Sequence, residues 1–153
     1  MDTVHSASGL VVHAIDLTLD VQSHAGLFRR LGALSARVDN QVDPVEAMTA
    51  FMTRERLGSI VLAEHVALPH APFEGISEPV VSVVRSLKPI QFGESFVSLA
   101  VGILVPEDAP QQHLDLLRFW ASLLRLERRR QALLTAPTSE HFYTLVKDHT
   151  CSP

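Results

Sequence analysis

Residues 96–105, FVSLAVGILV, constrain the fold more than any other stretch of this chain. The run is almost wholly apolar, yet it is far shorter than the roughly 20 residues that a membrane-spanning helix needs. A strand that is apolar at nearly every position has to be covered on both of its faces. The run therefore predicts a central strand, with helices on each side of the sheet that contains it.

The segments around this strand supply those helices. Ser23 is a candidate N-cap, Asp43 with Pro44 marks the start of a second helix, and Gly58 marks its end. A long helix follows Pro110, and a final helix lies near residues 139–147. The apolar positions that predict the four helices are, in order, Leu27, Phe28, Leu31, Leu34 and Val38; Val45, Met48, Phe51 and Met52; Leu114, Leu117, Ala121 and Leu124; and Phe142, Leu145 and Val146.

Four further segments have the character of strands. In the first, Ile15, Leu17 and Leu19 alternate with polar residues, which is the period of a half-buried strand. The others are residues 60–62, 66–68 and 80–84. The order of helices, strands and helices predicts an α/β protein, with a mixed β-sheet sandwiched between helices on both faces. We expect residues 1–153 to form a single domain, with a core at about 10–148.

Composition excludes several classes of protein. The formal net charge is -4 and the pI is about 6.0, whereas a nucleic-acid-binding surface needs a basic field. No apolar stretch suggests membrane insertion, and no positively charged segment precedes the first apolar residues as in a secretory signal. Cys151 is the single cysteine, so an intramolecular disulfide is impossible. These features predict a cytoplasmic protein.

His70 is the first candidate for chemistry. The residue before a proline is pushed out of the α region, so Leu68 should stay extended and Pro69 should give His70 a stiff exit from the strand. Ligand crevices form at strand ends in open α/β sheets. A neutral imidazole, whose ordinary pKa is about 6.5, is a recognised nucleophile. On spacing alone two interpretations stay open, a reactive histidine or a solvated loop residue.

His113 and Arg54 are two further candidates. His113 falls in the first turn of the predicted long helix, where free amides and the helix dipole favour an anion such as phosphate. The alternative is an exposed polar residue. Arg54 ends the second helix together with Arg56, and a cation there favours the dipole. An arginine turned towards His70 could instead contact a phosphoryl group.

Nothing in the sequence predicts a metal or a cofactor. No cysteine pair and no H-E-x-x-H spacing supports zinc at His65, His70 or His113. There is no G-x-S-x-G elbow and no Walker-type glycine-rich loop. The other positions of interest are given structural interpretations: Trp120 as core, residues 128–130 as a solvated face or a weak anion patch, and His5, His13, His24, His141 and His149 as surface residues.

Three segments carry the motifs of a known family: TRERLGSIVLAEHVALPHAPFEGISEPVVSVV, KPIQFG and ILVPEDAPQQHLDLL. Together they resemble the EIIA domain of the bacterial phosphotransferase system, of the fructose/mannitol and nitrogen-regulatory type. Members of that family typically read R-E-x-x-G-S-T, V-A-I-P-H, E-P-V and P-I-x-F, followed by a histidine at the start of a helix. IDLTLDVQSHAGLFRRLGAL also resembles the opening strand and helix of the family, so the resemblance covers nearly the whole chain.

The resemblance implies a phosphocarrier domain, a component of a phosphotransferase chain rather than a free-standing enzyme. His70 matches the histidine that accepts the phosphoryl group from the phosphocarrier protein HPr. His113 matches the second histidine, which is expected to hydrogen-bond the phosphoryl group, and Arg54 matches an arginine expected to stabilise charge. Because no EIIB or EIIC segment is fused, we expect a nitrogen-regulatory signalling protein that binds regulatory targets. The alternative is a sugar-specific subunit that passes phosphate to a separate EIIB.

The chain also departs from the family pattern at three places. Gly58-Ser59-Ile60 stands where the family has G-S-T, Ala63-Glu64-His65 stands where it has a Gly-x-Gly turn, and Pro72 replaces a basic residue. We therefore interpret Ser59, Glu64 and His65 as possible lining of the site. The same departures motivate a third hypothesis, a protein-binding module that kept the fold and lost phosphotransfer.

Overall fold

The structure is a computed structural model that describes residues 2–4 and 11–150, so the predictions for His5 and Cys151 lie outside the described residues. Its strands are β1 (Asp2–Val4), β2 (Ala14–Leu19), β3 (Val61–Ala63), β4 (His65–Ala67), β5 (His70–Phe73), β6 (Val80–Phe92) and β7 (Ser95–Pro106). Its helices are α1 (His24–Val38), α2 (Pro44–Leu57), α3 (Pro110–Arg125), α4 (Glu127–Thr135) and α5 (Ser139–Thr150). No helix in the described ranges is long and apolar enough to cross a membrane.

All the described strands belong to one mixed sheet with the order β1-β2-β6-β7-β4-β3. β1 is antiparallel to β2, β2 is parallel to β6, and β6 and β7 form an antiparallel pair. β4 and β5 both lie parallel to β7, one after the other along the same edge, while β3 turns back antiparallel to β4. The mixed sheet predicted from the sequence is confirmed.

Helices cover both faces of this sheet. Leu27 and Phe28 of α1 and Phe51 of α2 form one buried cluster with residues such as Ala100 and Leu104 of β7. A second cluster lies on the other face, where Trp120 of α3, Leu133 of α4 and Phe142 of α5 meet Val101 and Ile103 of β7. Alternate residues of β7 thus enter different cores, which explains why the run 96–105 is apolar throughout.

Local sequence signals define the first two helices. The hydroxyl of Ser23 accepts a hydrogen bond from the Gly26 amide at 3.1 Å, and the Asp43 carboxylate accepts one from the Glu46 amide at 2.9 Å. Both predicted N-caps are confirmed. The predicted apolar face of α2 is wrong at Val45, which is 68% exposed; the buried residues of this helix are Ala47 and Phe51.

Two glycines allow close packing between layers. A Cβ atom on Gly32 of α1 would lie 2.4 Å from the Pro44 carbonyl oxygen, so the helices α1 and α2 touch at this point. A Cβ atom on Gly102 of β7 would lie 3.0 Å from the Phe51 ring and 3.1 Å from the Leu31 side chain. A larger residue at position 32 would push α1 and α2 apart, whereas one at position 102 would force the Phe51 and Leu31 side chains to shift.

The first strand is more deeply buried than its alternating pattern predicts. Asp16 is buried, and its carboxylate accepts hydrogen bonds from Arg30 Nε at 2.8 Å and from the Thr18 amide at 3.0 Å. The surface interpretation of His13 is wrong, because its Nδ1 accepts the Val81 amide at 3.0 Å inside the sheet. β2 lies between β1 and β6, and the buried polar side chains of His13 and Asp16 therefore need internal partners, whereas Thr18 is exposed.

The C-terminal helical region differs from the prediction in two respects. A separate helix, α4, follows α3 directly and contains residues 128–130. These residues are therefore not simply a solvated surface. Arg130 is half-buried and donates to the Leu124 carbonyl at 2.8 Å, while Arg129 contacts His149. His149 also contacts the Ser122 hydroxyl at 2.9 Å and is half-buried, whereas His24 and His141 are exposed as predicted.

Candidate functional site

His70 opens strand β5 at the edge of the sheet. Strand β4 ends at Ala67, within one residue of the predicted strand end before Pro69, but the chain does not leave the sheet: after the proline it continues along β7 as β5. The Pro69 carbonyl accepts the Ile103 amide at 2.9 Å, and His70 itself is paired with Ile103. Phe73 of the same strand points into the α1–α2 core, and alternation along the strand directs His70 to the α3 side.

The imidazole of His70 has a defined tautomer. Its Nδ1 lies 2.8 Å from the carbonyl oxygen of Leu68. A carbonyl oxygen can only accept, so Nδ1 carries the hydrogen and Nε2 keeps its lone pair. Sequence patterns missed this partner, because the group that orients the ring is a backbone atom, and no side-chain type at position 68 signals it.

His113 lies beside His70. The two ring centroids are 5.2 Å apart, and the ring planes meet at 75°. His113 is in the first turn of α3, and its amide donates to the Ala109 carbonyl at 3.3 Å. Ala109 is the N-cap and provides no side-chain hydrogen bond, so the positive end of the helix dipole faces this corner uncapped.

Arg54 of α2 is the cation whose charge acts on both rings. Its Nη1 donates to the Gly58 carbonyl at 3.1 Å, which holds the side chain at the end of the helix. Burial lowers the pKa of His70 from its ordinary 6.5, the hydrogen bond to Leu68 opposes this, and the charges of Arg54 and His113 lower it further. Burial and then Arg54 also lower the pKa of His113.

The structure thus brings together the three residues that the sequence singled out, from β5, α3 and α2. At neutral pH it presents two neutral imidazoles, one of which has a free Nε2, next to a guanidinium and a helix N-terminus. An imidazole lone pair can accept a phosphoryl group, while the guanidinium and the free amides can stabilise its oxygens. Across the part of the chain that the structure describes, no cluster of three or more His, Cys, Asp or Glu residues could hold a metal ion.

Comparison with known sequences decides the family. The model for the phosphoenolpyruvate-dependent sugar phosphotransferase system, EIIA 2, matches residues 10–149. The chain belongs to this EIIA family. A relative from Pseudomonas aeruginosa named nitrogen regulatory protein is 33% identical over 126 residues, which cover 78% of this chain and 82% of that protein.

Solved structures agree with this assignment. The nitrogen regulatory protein IIA-Ntr from Neisseria meningitidis superimposes with a TM-score of 0.81 at 29% identity, over 86% of this chain and 92% of that one. The mannitol-specific enzyme IIA of Escherichia coli, solved in complex with phosphorylated enzyme IIB, gives a TM-score of 0.71 at 19% identity, over 88% and 94% of the two chains. The similarity to the mannitol-specific enzyme shows a shared fold.

Ser59 lies beside the segment that leads into His70 of this EIIA chain. The Ile60 carbonyl accepts the Leu68 amide at 2.7 Å, so the residue before Ile60 comes beside Pro69 at the end of the strand pair. The Ser59 hydroxyl accepts the Val61 amide at 3.2 Å and is exposed. Ser59 therefore caps the connection between α2 and β3, close to His70.

Glu64 and His65 lie elsewhere in this EIIA fold. Glu64 is the turn between β3 and β4, and His65 is the first residue of β4, five positions of nearly extended chain before His70, a distance of about 16 Å. His65 Nε2 lies 3.3 Å from a Glu64 carboxylate oxygen, and both side chains are at least partly exposed. The structure does not bring these two residues to His70. Glu64 therefore puts no negative charge beside the Nε2 atom.

Proposed function

We propose that this chain is a phosphocarrier that accepts a phosphoryl group on Nε2 of His70 from an HPr-type phosphocarrier protein. The single observation that carries the proposal is the 2.8 Å hydrogen bond from His70 Nδ1 to the Leu68 carbonyl, in a ring that packs on His113. This bond orients the imidazole and leaves the one lone pair that can attack phosphorus.

The chemical step needs little more than positioning and charge. The Nε2 lone pair forms the new bond to phosphorus, the bond from phosphorus to the donor's leaving atom breaks, and that electron pair stays on the leaving atom. The hydrogen stays bound to Nδ1, which donates it to the Leu68 carbonyl, so the phosphorylated ring carries a positive charge beside the phosphoryl oxygens. Arg54, His113 and the first turn of α3 stabilise those oxygens.

Two features support an active acceptor over a binding module that has lost transfer. The lowered pKa of His70 keeps its ring neutral, and therefore nucleophilic, at neutral pH. The residues that differ most from the family pattern, Glu64 and His65, lie about 16 Å along the edge from His70. The substitution of the turn therefore leaves the surroundings of Nε2 unchanged.

The relatives favour a regulatory role in the cytoplasm. The proteins from Pseudomonas aeruginosa and Neisseria meningitidis are both named as nitrogen regulatory proteins. By analogy, the phosphorylation state of His70 would control which regulatory proteins this chain binds. The second candidate is a sugar-specific EIIA that donates to a separate EIIB, and the mannitol enzyme IIA solved with phosphorylated IIB favours it.

Intact-mass spectrometry tests the phosphocarrier proposal. The wild-type chain is incubated with phosphoenolpyruvate, enzyme I and HPr, and we expect a gain of one phosphoryl group. His70→Ala should show no gain, and His141→Ala, which alters an exposed histidine far along the chain, should behave as wild type. No gain on folded wild type would favour the binding module, and an undiminished gain in His70→Ala would exclude His70 as the acceptor.

A second measurement separates the two candidate functions. The phosphorylated chain is mixed with purified fructose- or mannitol-type EIIB, and the phosphoryl group is followed by mass on both proteins. Transfer to EIIB at a rate comparable with phosphorylation by HPr supports the sugar-specific role. A phosphorylated chain that stays stable in the presence of EIIB supports the regulatory role.

A further inference from the structure

A groove of about 440 Å³ lies beside the turn between β3 and β4. Arg85 of β6 is paired with Leu99 of β7, whereas His70 is level with Ile103, so four residues of β7 separate the groove from the histidine pair. This corresponds to about 13 Å. The groove lies where the pairing of β6 with β7 is irregular, between Arg85 and Ile90.

Arg85 places a positive charge at one wall of the groove, where its partners are carbonyls at the C-terminal end of α4 and not a carboxylate. Its Nη1 and Nη2 donate to the carbonyls of Leu133 at 2.9 Å and Ala136 at 2.7 Å. No carboxylate of the described residues forms an ion pair with it, and burial lowers the pKa of its guanidinium. The helix C-terminus supplies only a partial negative charge, so the guanidinium keeps a net positive charge at the groove and has further N–H donors.

His65 lines the same groove. Its φ angle is 67°, in the left-handed region that glycine adopts without strain. Strain of this kind persists where the surrounding structure or a function requires the side chain. The imidazole, together with Ser98 of β7, adds hydrogen-bonding groups beside the guanidinium.

The remaining wall is apolar. It is formed by Leu17 of β2, Leu134 of α4 and Leu87 of β6, and Leu87 is 61% exposed in this structure. A pocket with an apolar wall and a few convergent polar groups is the usual arrangement of a small-molecule site. One guanidinium supplies one full positive charge, which matches a single negative charge better than a phosphate dianion.

We propose that this groove binds a small organic monocarboxylate. The carboxylate contacts Arg85, His65 and Ser98, and the aliphatic part of the ligand lies along Leu17, Leu87 and Leu134. The site is separate from the histidine pair, and its existence does not depend on phosphoryl transfer at His70. It also accounts for a histidine at a position where the backbone conformation favours glycine.

The test uses hexanoate as the probe, with hexanol and hexylamine as the neutral and cationic controls of equal chain length. Titration of the ¹⁵N-labelled full chain by NMR should give saturable shifts at His65, Ser98 and the Arg85 Nε–H with hexanoate only. Hexyl phosphate is the fourth probe, and tighter binding of it than of hexanoate would overturn the monocarboxylate assignment.

Three variants sharpen the test. His65→Gly removes the imidazole at a position that suits glycine, so the chain should fold, and hexanoate should bind about tenfold more weakly. Glu64→Gln removes the carboxylate 3.3 Å from His65 and should tighten binding. Arg85→Lys keeps the charge and loses the planar fork, and should weaken binding. Absence of saturable shifts, equal shifts with hexylamine, or unchanged affinity in His65→Gly would each overturn the proposal.

Discussion

His70 donates its Nδ1 hydrogen to the carbonyl oxygen of Leu68, two residues earlier in the chain, at 2.8 Å. The proline between them keeps the backbone extended, so the acceptor and the ring are held in one rigid unit. The contact decides which nitrogen can react. It also keeps the ring on the α3 side of the sheet, where it meets His113.

We expect the phosphoryl group on Nε2 of His70 and not on Nδ1. The lone pair of Nδ1 is unavailable because that nitrogen carries the hydrogen bonded to Leu68. Heteronuclear NMR of the phosphorylated chain with ¹⁵N-labelled histidine distinguishes the two linkages by the nitrogen that couples to phosphorus. Coupling of phosphorus to Nδ1 would show that the observed tautomer is not the one that reacts.

Both histidines of the site should titrate below 6.5. Burial and the charge of Arg54 lower the pKa of His70 and of His113 in the folded protein. The acceptor therefore stays neutral at pH 6.5, and the transfer rate should fall only at lower pH, as Nε2 becomes protonated. The Cε1–H shifts of the two rings, followed by NMR against pH, measure the two pKa values directly.

The lowered pKa values of His70 and His113 also predict how the free energy of unfolding depends on pH. Below pH 6.5, the ordinary pKa, the unfolded chain binds protons on these histidines before the folded chain does, so the free energy of unfolding falls as pH falls. His70→Gln should make this decline shallower, and the exposed His141→Gln should leave it unchanged. A decline of equal slope in all three proteins, measured by urea unfolding, would show that the site does not contribute.

Arg54→Gln should slow phosphorylation of His70 by about a hundredfold, because it removes a charge that stabilises the phosphoryl oxygens. The pKa values of His70 and His113 should rise, since Arg54 lowers both. Arg56→Gln is the matched control: it removes the same charge from an exposed side chain in the same helical turn. Equal losses of rate in the two variants would point to long-range attraction of the phosphocarrier instead.

His65→Gly should raise the free energy of unfolding by up to about 1 kcal/mol, because it relieves a left-handed conformation that costs a histidine energy. His65→Ala is the control, since alanine removes the imidazole and keeps the strain. We expect no gain in that variant. The midpoints of chemical unfolding compare the three proteins, and a stabilised His65→Ala would show that the imidazole and not the backbone is unfavourable.

Two glycine substitutions should differ in severity. Gly32→Ala should cost about 3 kcal/mol or more, because the new Cβ meets a backbone carbonyl at 2.4 Å and the two helices have to separate. Gly102→Ala should cost about 1–2 kcal/mol, because its neighbours are side-chain atoms of Phe51 and Leu31 that can adjust. Urea unfolding gives both values, and the reverse order would contradict the close contact of α1 with α2.

Much of the secondary structure could be predicted because its signals are local. Ser23, Asp43 and Pro44 mark helix starts through hydrogen bonds and ring geometry within one turn, and the structure confirms them. The burial of His13 could not be predicted. It depends on pairing with Val81, which lies 68 positions further along the chain, and no pattern near residue 13 records that partner.

The sequence by itself determined the layered α/β fold, since a strand that is apolar on both faces cannot be stable without helices above and below it. It also determined the family, and it singled out His70, His113 and Arg54. Only the tertiary structure decided that these three meet, because the registers of β5 on β7 and the ends of α2 and α3 set their distances. The tertiary structure also separated His65 from His70. An extended strand rises about 3.3 Å per residue, so two side chains five positions apart along it are too distant to share one site.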